Sequence, residues 1–138
     1  MDETDARILE LLKKNARMTY VEIGEAVGLS EGAVRNRVQA LATSGVIKRF
    51  TIETTVGARV RSITMISVEP GVPTNTVSQA VLRLPGAERV YEVTGEYDIF
   101  AIVALQDIEG VNQCIEEIRK IKGVVKTNSV IVLRTLEL

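Results

Sequence analysis

One short stretch of the sequence holds the side chains with the most recognisable chemistry. Arg35, Asn36 and Arg37 stand in a row, and a second basic pair, Lys48 and Arg49, follows shortly after. Asparagine amides can pair bidentately with adenine edges, and arginine or lysine can reach phosphate oxygens. The stretch is therefore consistent with two interpretations. It forms either a surface that binds a polyanion or an ordinary solvated helix face.

The distribution of these residues around a helix favours the first interpretation. At 100° per residue, Val34, Val38 and Leu41 fall in one narrow arc, which predicts a core face. Arg35 and Arg37 lie on the two flanks, and the opposite arc is small or neutral and polar. The members of that opposite arc are Gly32, Asn36, Gln39 and Thr43. A helix that enters the major groove of DNA needs such a centre for base edges and cations at its borders.

The beginning of this helix and the segment after it extend the predicted surface. Gly32 and Ala33 remove bulk where the N-terminal part of a recognition helix meets bases. Lys48 and Arg49 would add phosphate contacts. The predicted DNA-contacting residues are Ser30, Gly32, Ala33, Arg35, Asn36, Arg37, Gln39, Lys48 and Arg49.

Three short helices are predicted to position this surface. Apolar residues recur at helical spacing between about residues 2 and 15. Thr19 and Glu22 have the spacing of a capping box that begins a second helix, which Gly28 ends. Ser30 caps the third helix, and Gly45 follows its C-terminus.

The close succession of the last two helices predicts a helix-turn-helix motif. Gly24 lets the two helices approach because it has no side chain, and the link between them is very short. The β-branched and aromatic residues of 46–53, VIKRFTIE, predict a strand that would form a wing. We therefore predict a winged helix-turn-helix domain in residues 1–52 and a hinge in residues 53–60.

The second half, residues 61–138, has a different pattern. Strand-like and helix-like segments alternate in the order β-α-β-β-α-β, which is the ferredoxin-like arrangement. On the second helix of this half, Ile108, Val111, Ile115 and Ile118 are predicted to face inward, with Cys114 beside them as a buried small hydrophobe. The predicted strands are 62–70, 85–93, 98–105 and 124–138, and the predicted helices are 74–84 and the segment between Asp107 and Gly123. The predicted fold class is α+β.

Composition excludes several classes of function. The chain has no histidine and one cysteine, so serine–histidine catalysis, a zinc site and an internal disulfide are not expected. No general acid–base pair or nucleophile can be named, so we expect no catalytic residues, no metal, no cofactor and no enzyme. No apolar run approaches the length of a membrane span. The acidic start, MDETDAR, is unlike a targeting peptide, and we expect a cytoplasmic protein.

The chain resembles the Lrp/AsnC (feast/famine) family of transcription factors. The similarity extends over essentially the whole sequence and is closest to archaeal members, including those tied to lysine biosynthesis. The segments that carry the resemblance are DARILELLKKNAR at 5–17, IGEAVGLSEGAVRNRVQALATSGVIKRF at 23–50, TGEYDI at 94–99 and TNSVIVLRT at 127–135.

The resemblance implies how the second half works. It implies a homodimer formed by paired sheets, assembly of dimers into an octamer, and an amino-acid effector bound between C-terminal domains. Asp98 could accept from the ligand's ammonium group, while turn amides and hydroxyl groups could donate to its carboxylate. The plainer alternative is a β-turn with a capping aspartate. The residues implied are Gly95, Glu96, Tyr97, Asp98, Thr127, Asn128 and Ser129.

Two functions remain open from the sequence. The first is a regulator that binds double-stranded DNA in a sequence-specific manner and responds to an amino acid. Lysine becomes the preferred effector if Glu92 or Glu96 points into the site. The second is an amino-acid-sensing module that regulates an enzyme or another partner protein without binding DNA.

Overall fold

The computed structural model describes residues 1–137, which form two compact units. The first unit is Met1–Glu53, and the second begins at Thr54. No helix in the described part of the chain is long and apolar enough to cross a bilayer. The elements are α1 (Glu3–Lys14), α2 (Tyr20–Val27), α3 (Glu31–Thr43), β1 (Val60–Val68), α4 (Thr74–Leu82), β2 (Ala87–Glu92), β3 (Ile99–Leu105), α5 (Ile108–Arg119) and β4 (Val124–Ile131).

Local hydrogen bonds begin each helix of the first unit. The side chain of Thr19 accepts from the Glu22 backbone N–H and the Glu22 side chain accepts from the Thr19 N–H, so the predicted capping box of α2 is confirmed. The Ser30 hydroxyl accepts from the Ala33 N–H at the start of α3. Buried side chains from all three helices then pack together, and these are Ile8, Ile23, Val34 and Val38.

Two glycines make the tight turn between α2 and α3 possible. A Cβ atom at Gly24 would collide with the backbone carbonyl oxygen of Leu29, so only glycine permits this approach. Gly28 ends α2 with φ of 76°, in the left-handed region that favours glycine. Both predictions made for these glycines are confirmed.

The strand predicted for residues 46–53 is not formed in the described chain. The Ile47 N–H donates to the Leu41 carbonyl oxygen, and the Ile47 side chain packs on the first core. Phe50 and Ile52 are 64% and 83% exposed. A strand requires a neighbouring strand to complete its hydrogen bonds, and none pairs with this segment within residues 1–137. Composition alone could not reveal that missing neighbour.

The second unit has the predicted β-α-β-β-α-β order. Its four strands form one antiparallel sheet in the order β2-β3-β1-β4. Two helices, α4 and α5, bury one face of that sheet. The residues of this core are Ile66, Val77, Val81, Ile99, Ala101, Val103, Cys114 and Ile118.

One predicted core position on α5 is wrong. Ile108 is 57% exposed, whereas Val111, Cys114 and Ile118 are buried. Ile108 is the first residue of α5, and helical side chains tilt toward the N-terminus, so this side chain extends beyond the end of the helix. The predicted burial of Cys114 is confirmed.

The centre of the other face of the sheet, on β1 and β3, is apolar, and we call this apolar centre the open face. Met65 lies opposite Phe100 in the ladder, and Ile63 lies opposite Ile102. All four residues alternate with the core positions along their strands and are only half-buried. The open face consists of Ile63, Met65, Phe100 and Ile102.

Candidate functional site

The helix α3 has one buried face and one exposed polar face. Val34, Val38 and Leu41 are between 0% and 4% exposed, as their spacing predicted. Gly32, Asn36, Gln39 and Thr43, which we call the reading face, are exposed. Ser30 is also exposed but serves as the N-cap, and Ala33 is half-buried. The face predicted to meet bases is therefore accessible in the chain.

Arg35 lies at the border of the reading face and has one partner on α3 and one on α2. Its guanidinium pairs with the Glu31 carboxylate one turn earlier. It also lies 6.0 Å from the centroid of the Tyr20 ring, within cation–π range. The side chain remains 57% exposed, so these contacts orient a cation that a phosphate could still reach.

Arg37 is held more firmly, by the beginning of α1. Its Nη1 atom lies 2.7 Å from Asp2 Oδ2 and 3.0 Å from Asp5 Oδ1. The hydrogen bond from Arg37 is the largest cause that lowers the pKa of the Asp2 carboxyl, and the two carboxylates raise the pKa of Arg37. The sequence did not indicate this pairing, although Asp2 and Asp5 stand three residues apart as in a helix cap.

The two other predicted phosphate contacts lie in the irregular segment after α3. Lys48 and Arg49 are exposed. Together with Lys13 of α1 they border a depression of about 410 Å³ that also has apolar lining, including Leu9 and Phe50. The depression has positively charged groups at its border.

The second candidate site is the turn between β2 and β3, residues 94–98. The Asp98 N–H donates to the Ile66 carbonyl oxygen at 2.9 Å, and Asp98 Oδ2 accepts from the Val68 N–H at 2.7 Å. Gly95 has φ of 113°, which a residue with a side chain rarely adopts. Asp98 therefore ties the turn to the end of β1 through one carboxylate oxygen.

The turn lies beside the first part of β4, as expected from the resemblance. Lys126 Nζ is 5.5 Å from the centroid of the Tyr97 ring and 3.9 Å from Glu96 Oε1. Lys126 directly precedes Thr127 but was not among the residues predicted for this site. The structure thus brings the turn and the start of the last strand together around an exposed cation.

The predicted residues of β4 do not share one face of the sheet. Thr127 Oγ1 accepts from Arg119 Nε at 3.1 Å, and the Ser129 hydroxyl lies 2.9 Å from that of Thr64. Asn128 is exposed and pairs in the ladder with Met65, so it points to the opposite face. Two of the three hydroxyl and amide groups are therefore already engaged within the chain.

The two carboxylates considered for lysine recognition have different surroundings. Glu92 accepts from the hydroxyl of Ser78 on α4 at 2.9 Å. Glu96 is largely exposed, and Lys126 is its nearest cation. Within residues 1–137, no group of histidine, cysteine, aspartate and glutamate side chains could hold a metal ion.

Two family models match the chain. The first, described as the AsnC-type helix-turn-helix domain, matches residues 1–42, and the second, the Lrp/AsnC ligand binding domain, matches residues 61–137. The HTH-type transcriptional regulator LysM of Saccharolobus solfataricus is 48% identical over 98% of this chain and 95% of its own length. LysM of Sulfurisphaera tokodaii is 45% identical over 97% and 96%.

Solved structures show the same fold. E. coli AsnC superposes with a TM-score of 0.85 at 26% identity, covering 100% of this chain and 95% of that one. The leucine response regulatory protein LrpA of Mycobacterium tuberculosis gives a TM-score of 0.87 at 26% identity, covering 100% and 96%.

Proposed function

The chain belongs to the Lrp/AsnC family of DNA-binding transcriptional regulators, which are not enzymes, and from that premise we propose how it reads DNA and responds to an effector. In this proposal the reading face of α3 recognises a specific DNA sequence. An amino acid bound at the turn of residues 94–98 changes the assembly and so the affinity for DNA. A cytoplasmic location follows from the same proposal, because the regulator must reach DNA.

The observation that supports DNA reading is the exposed amide pair on α3. Asn36 and Gln39 lie three residues apart on the helix and are exposed, while the opposite side of α3 is buried. Such side chains can pair bidentately with adenine. Arg35, Lys48 and Arg49 are exposed cations that could contact phosphates and set the register.

DNA binding is tested by titrating the full chain into its own upstream DNA and into a scrambled duplex at several salt concentrations. We expect tighter binding to the first, and a log affinity that falls by about 0.9 per log unit of salt for each phosphate contact. Lys48→Gln with Arg49→Gln should lower that slope. Lys120→Gln, which removes an exposed cation at the C-cap of α5, is the matched control and should leave the slope unchanged.

Equal affinity for the upstream and the scrambled duplex would show that the chain does not recognise a specific DNA sequence. Failure to bind either duplex at low salt would instead favour a module that regulates a partner protein.

The effector proposal rests on groups of the turn that the fold leaves available. Asp98 uses Oδ2 for the Val68 N–H, which leaves Oδ1 for an ammonium group. The Glu96–Lys126 pair is exposed, and a second ammonium group could replace Lys126 beside Glu96. The name LysM of two relatives suggests lysine, whose two ammonium groups fit these two carboxylates.

Isothermal titration of the full chain with each of the twenty amino acids tests the effector. We expect lysine to bind most tightly and Glu96→Gln to weaken lysine more than it weakens a neutral amino acid. A clear preference for a neutral amino acid would reject lysine and retain an amino-acid effector. If no amino acid binds, the effector proposal itself is wrong.

The open face supports the proposed homodimer. Ile63, Met65, Phe100 and Ile102 are half-buried apolar side chains side by side on a sheet, and contact with a second copy would remove them from water. We expect light scattering to give a dimer or a multiple of it up to an octamer. Met65→Lys should shift the chain toward monomer, whereas Gln79→Lys, on the exposed side of α4, should not.

A further inference from the structure

We propose that the acidic residues Asp2 and Asp5 support DNA binding, because they make Arg37 a positioning residue for α3 instead of a phosphate contact. The inference rests on the proposed function in that α3 is taken as the reading helix. It assigns a role to two carboxylates that lie in a unit expected to approach a polyanion.

The four oxygens of the two carboxylates are divided between two tasks. Asp2 Oδ1 accepts from the Asp5 N–H at 2.8 Å, and Asp5 Oδ2 accepts from the Asp2 N–H at 3.1 Å. These two bonds form the capping box that begins α1. The remaining oxygens, Asp2 Oδ2 and Asp5 Oδ1, both accept from Arg37 Nη1. Arg37 therefore binds the capping box as a whole.

This network joins the first turn of α1 to the middle of α3. Arg37 is separated from Asp2 by 35 residues and from Asp5 by 32, so the contact is tertiary. The Asp5 side chain is only 14% exposed and that of Arg37 33% exposed, so part of the network is shielded from water. Asn36 directly precedes Arg37 on the helix. The bonds that anchor Arg37 to the start of α1 therefore also restrain the part of α3 that carries Asn36.

The pairing makes Arg37 a poor phosphate ligand. Its Nε and Nη2 groups take no part in the two bonds, but Arg37 and the two carboxylates together carry a net negative charge, so the cluster does not attract a phosphate as an unpaired arginine would. Arg35 has no such restriction, since its one carboxylate partner is on its own helix and its side chain is 57% exposed. Positioning is therefore the role that the geometry of Arg37 favours.

The direction in which one substitution changes the affinity for DNA tests the inference. Asp5→Asn removes a negative charge, which by electrostatics alone would strengthen DNA binding. If the network positions α3, we expect the affinity of the full chain for its DNA to fall, by roughly threefold to fivefold, the upper range for a partly exposed ion pair. The matched control is Glu10→Gln, which removes an exposed carboxylate of the same helix that pairs only with Lys13 and should not weaken binding.

Two further variants separate positioning from phosphate binding. Arg37→Gln should weaken binding without lowering the salt slope, whereas loss of a phosphate contact would lower it by about 0.9. Arg37→Gln combined with Asp5→Asn should bind no more weakly than Arg37→Gln alone, because both act through one network. A rise in affinity for Asp5→Asn, or an unchanged affinity, would overturn the inference.

Amide hydrogen exchange in the free protein tests the positioning role of Arg37 without DNA, and so independently of the proposed function. If the unaltered chain binds no DNA, the proposed function fails by itself. The positioning claim is then decided in the free protein, where Asp5→Asn should speed exchange in residues 31–43 and Glu10→Gln should not. Equal exchange in the two variants would overturn it.

Discussion

The two candidate sites use their polar side chains in opposite ways. On α3, Asn36 and Gln39 are exposed, and within residues 1–137 neither side chain makes a hydrogen bond. At the second site, Asp98 of the turn has already accepted a bond from Val68, and Thr127 of β4 has accepted one from Arg119. The first site presents two amides that have no partner in the described chain, whereas several predicted groups of the second site are already bonded within the fold.

This difference indicates what each site needs from its partner. The reading face needs no second copy, because in the proposed function a duplex would supply the partners of the two amides. The turn offers a single chain few uncommitted groups, and Asn128 points away from Thr127. A second copy would have to complete it, which agrees with the proposed effector site between C-terminal domains.

The largest expected effect would disrupt the first site and leave the second intact. Gly24→Ala places a Cβ atom against the Leu29 carbonyl oxygen, and backbone cannot yield as a side chain does. We expect a loss of about 1–3 kcal/mol or more in the stability of the first unit. Thermal unfolding followed by circular dichroism measures it, and amino-acid binding should persist.

Gly32→Ala is the control for that experiment. Its Cβ atom would meet nothing within 4 Å, so the better helix propensity of alanine should stabilise α3 slightly, by less than the about 1 kcal/mol expected in a helix interior. Equal stability of the Gly24 and Gly32 variants would show that the close approach is not required.

The next effect concerns the unused amides. Asn36→Ala and Gln39→Ala should each cost about 1–3 kcal/mol in discrimination between the cognate and the scrambled duplex. The salt slope and the unfolding temperature should stay unchanged, because both side chains are exposed. Gln79→Ala removes an exposed amide from α4 and serves as the control. If both reading-face variants keep full discrimination, the assignment of that face is wrong.

Asp98 allows the structural and the binding role of one side chain to be separated. Asp98→Ala leaves the Val68 N–H without its acceptor, which should cost about 1–3 kcal/mol of stability. Asp98→Asn retains an acceptor oxygen but loses the charge, so it should keep most stability and bind the amino acid more weakly. Calorimetric titration beside thermal unfolding distinguishes the two. Unweakened binding by Asp98→Asn would exclude Asp98 as the ammonium acceptor.

The smallest effects come from pH, which should act on the two units in opposite directions. Arg37 lowers the pKa of Asp2 below its ordinary 3.8, so this stabilisation of the first unit is present above that value and lost as the pH falls through the lowered pKa. Burial, followed by the charge of Glu117, raises the pKa of the Cys114 thiol above 9.0. The stabilisation that the neutral Cys114 thiol gives the second unit is therefore present below pH 9.0, and it is lost as the pH rises through the raised pKa.

Amide exchange at acid and alkaline pH would resolve these changes by unit. Asp2→Asn should lessen the acid sensitivity, and Cys114→Ala the alkaline sensitivity. A first unit that responds to acid equally with and without Asp2 would contradict the ion-pair explanation.

The sequence determined the features that depend on neighbours a few residues away. The capping box of Thr19 and Glu22 was predictable because it depends only on the types of two residues three positions apart at the start of a helix. The left-handed end of α2 at Gly28 was predictable because glycine alone reaches that conformation without cost. The hydrophobic period likewise predicted the buried face of α3 and the order of the second unit.

Only the tertiary structure decided the pairings between distant residues. Arg37 looked like a free cation until α1 brought Asp2 and Asp5 to it, and the hydroxyl of Thr127 looked available until α5 placed Arg119 beside it. The segment 46–53 has the composition of a strand, yet no strand of the described chain lies beside it. Local patterns specify which conformation a segment prefers. They cannot specify partners, because a charge or a strand edge binds whatever the fold brings within a few ångströms.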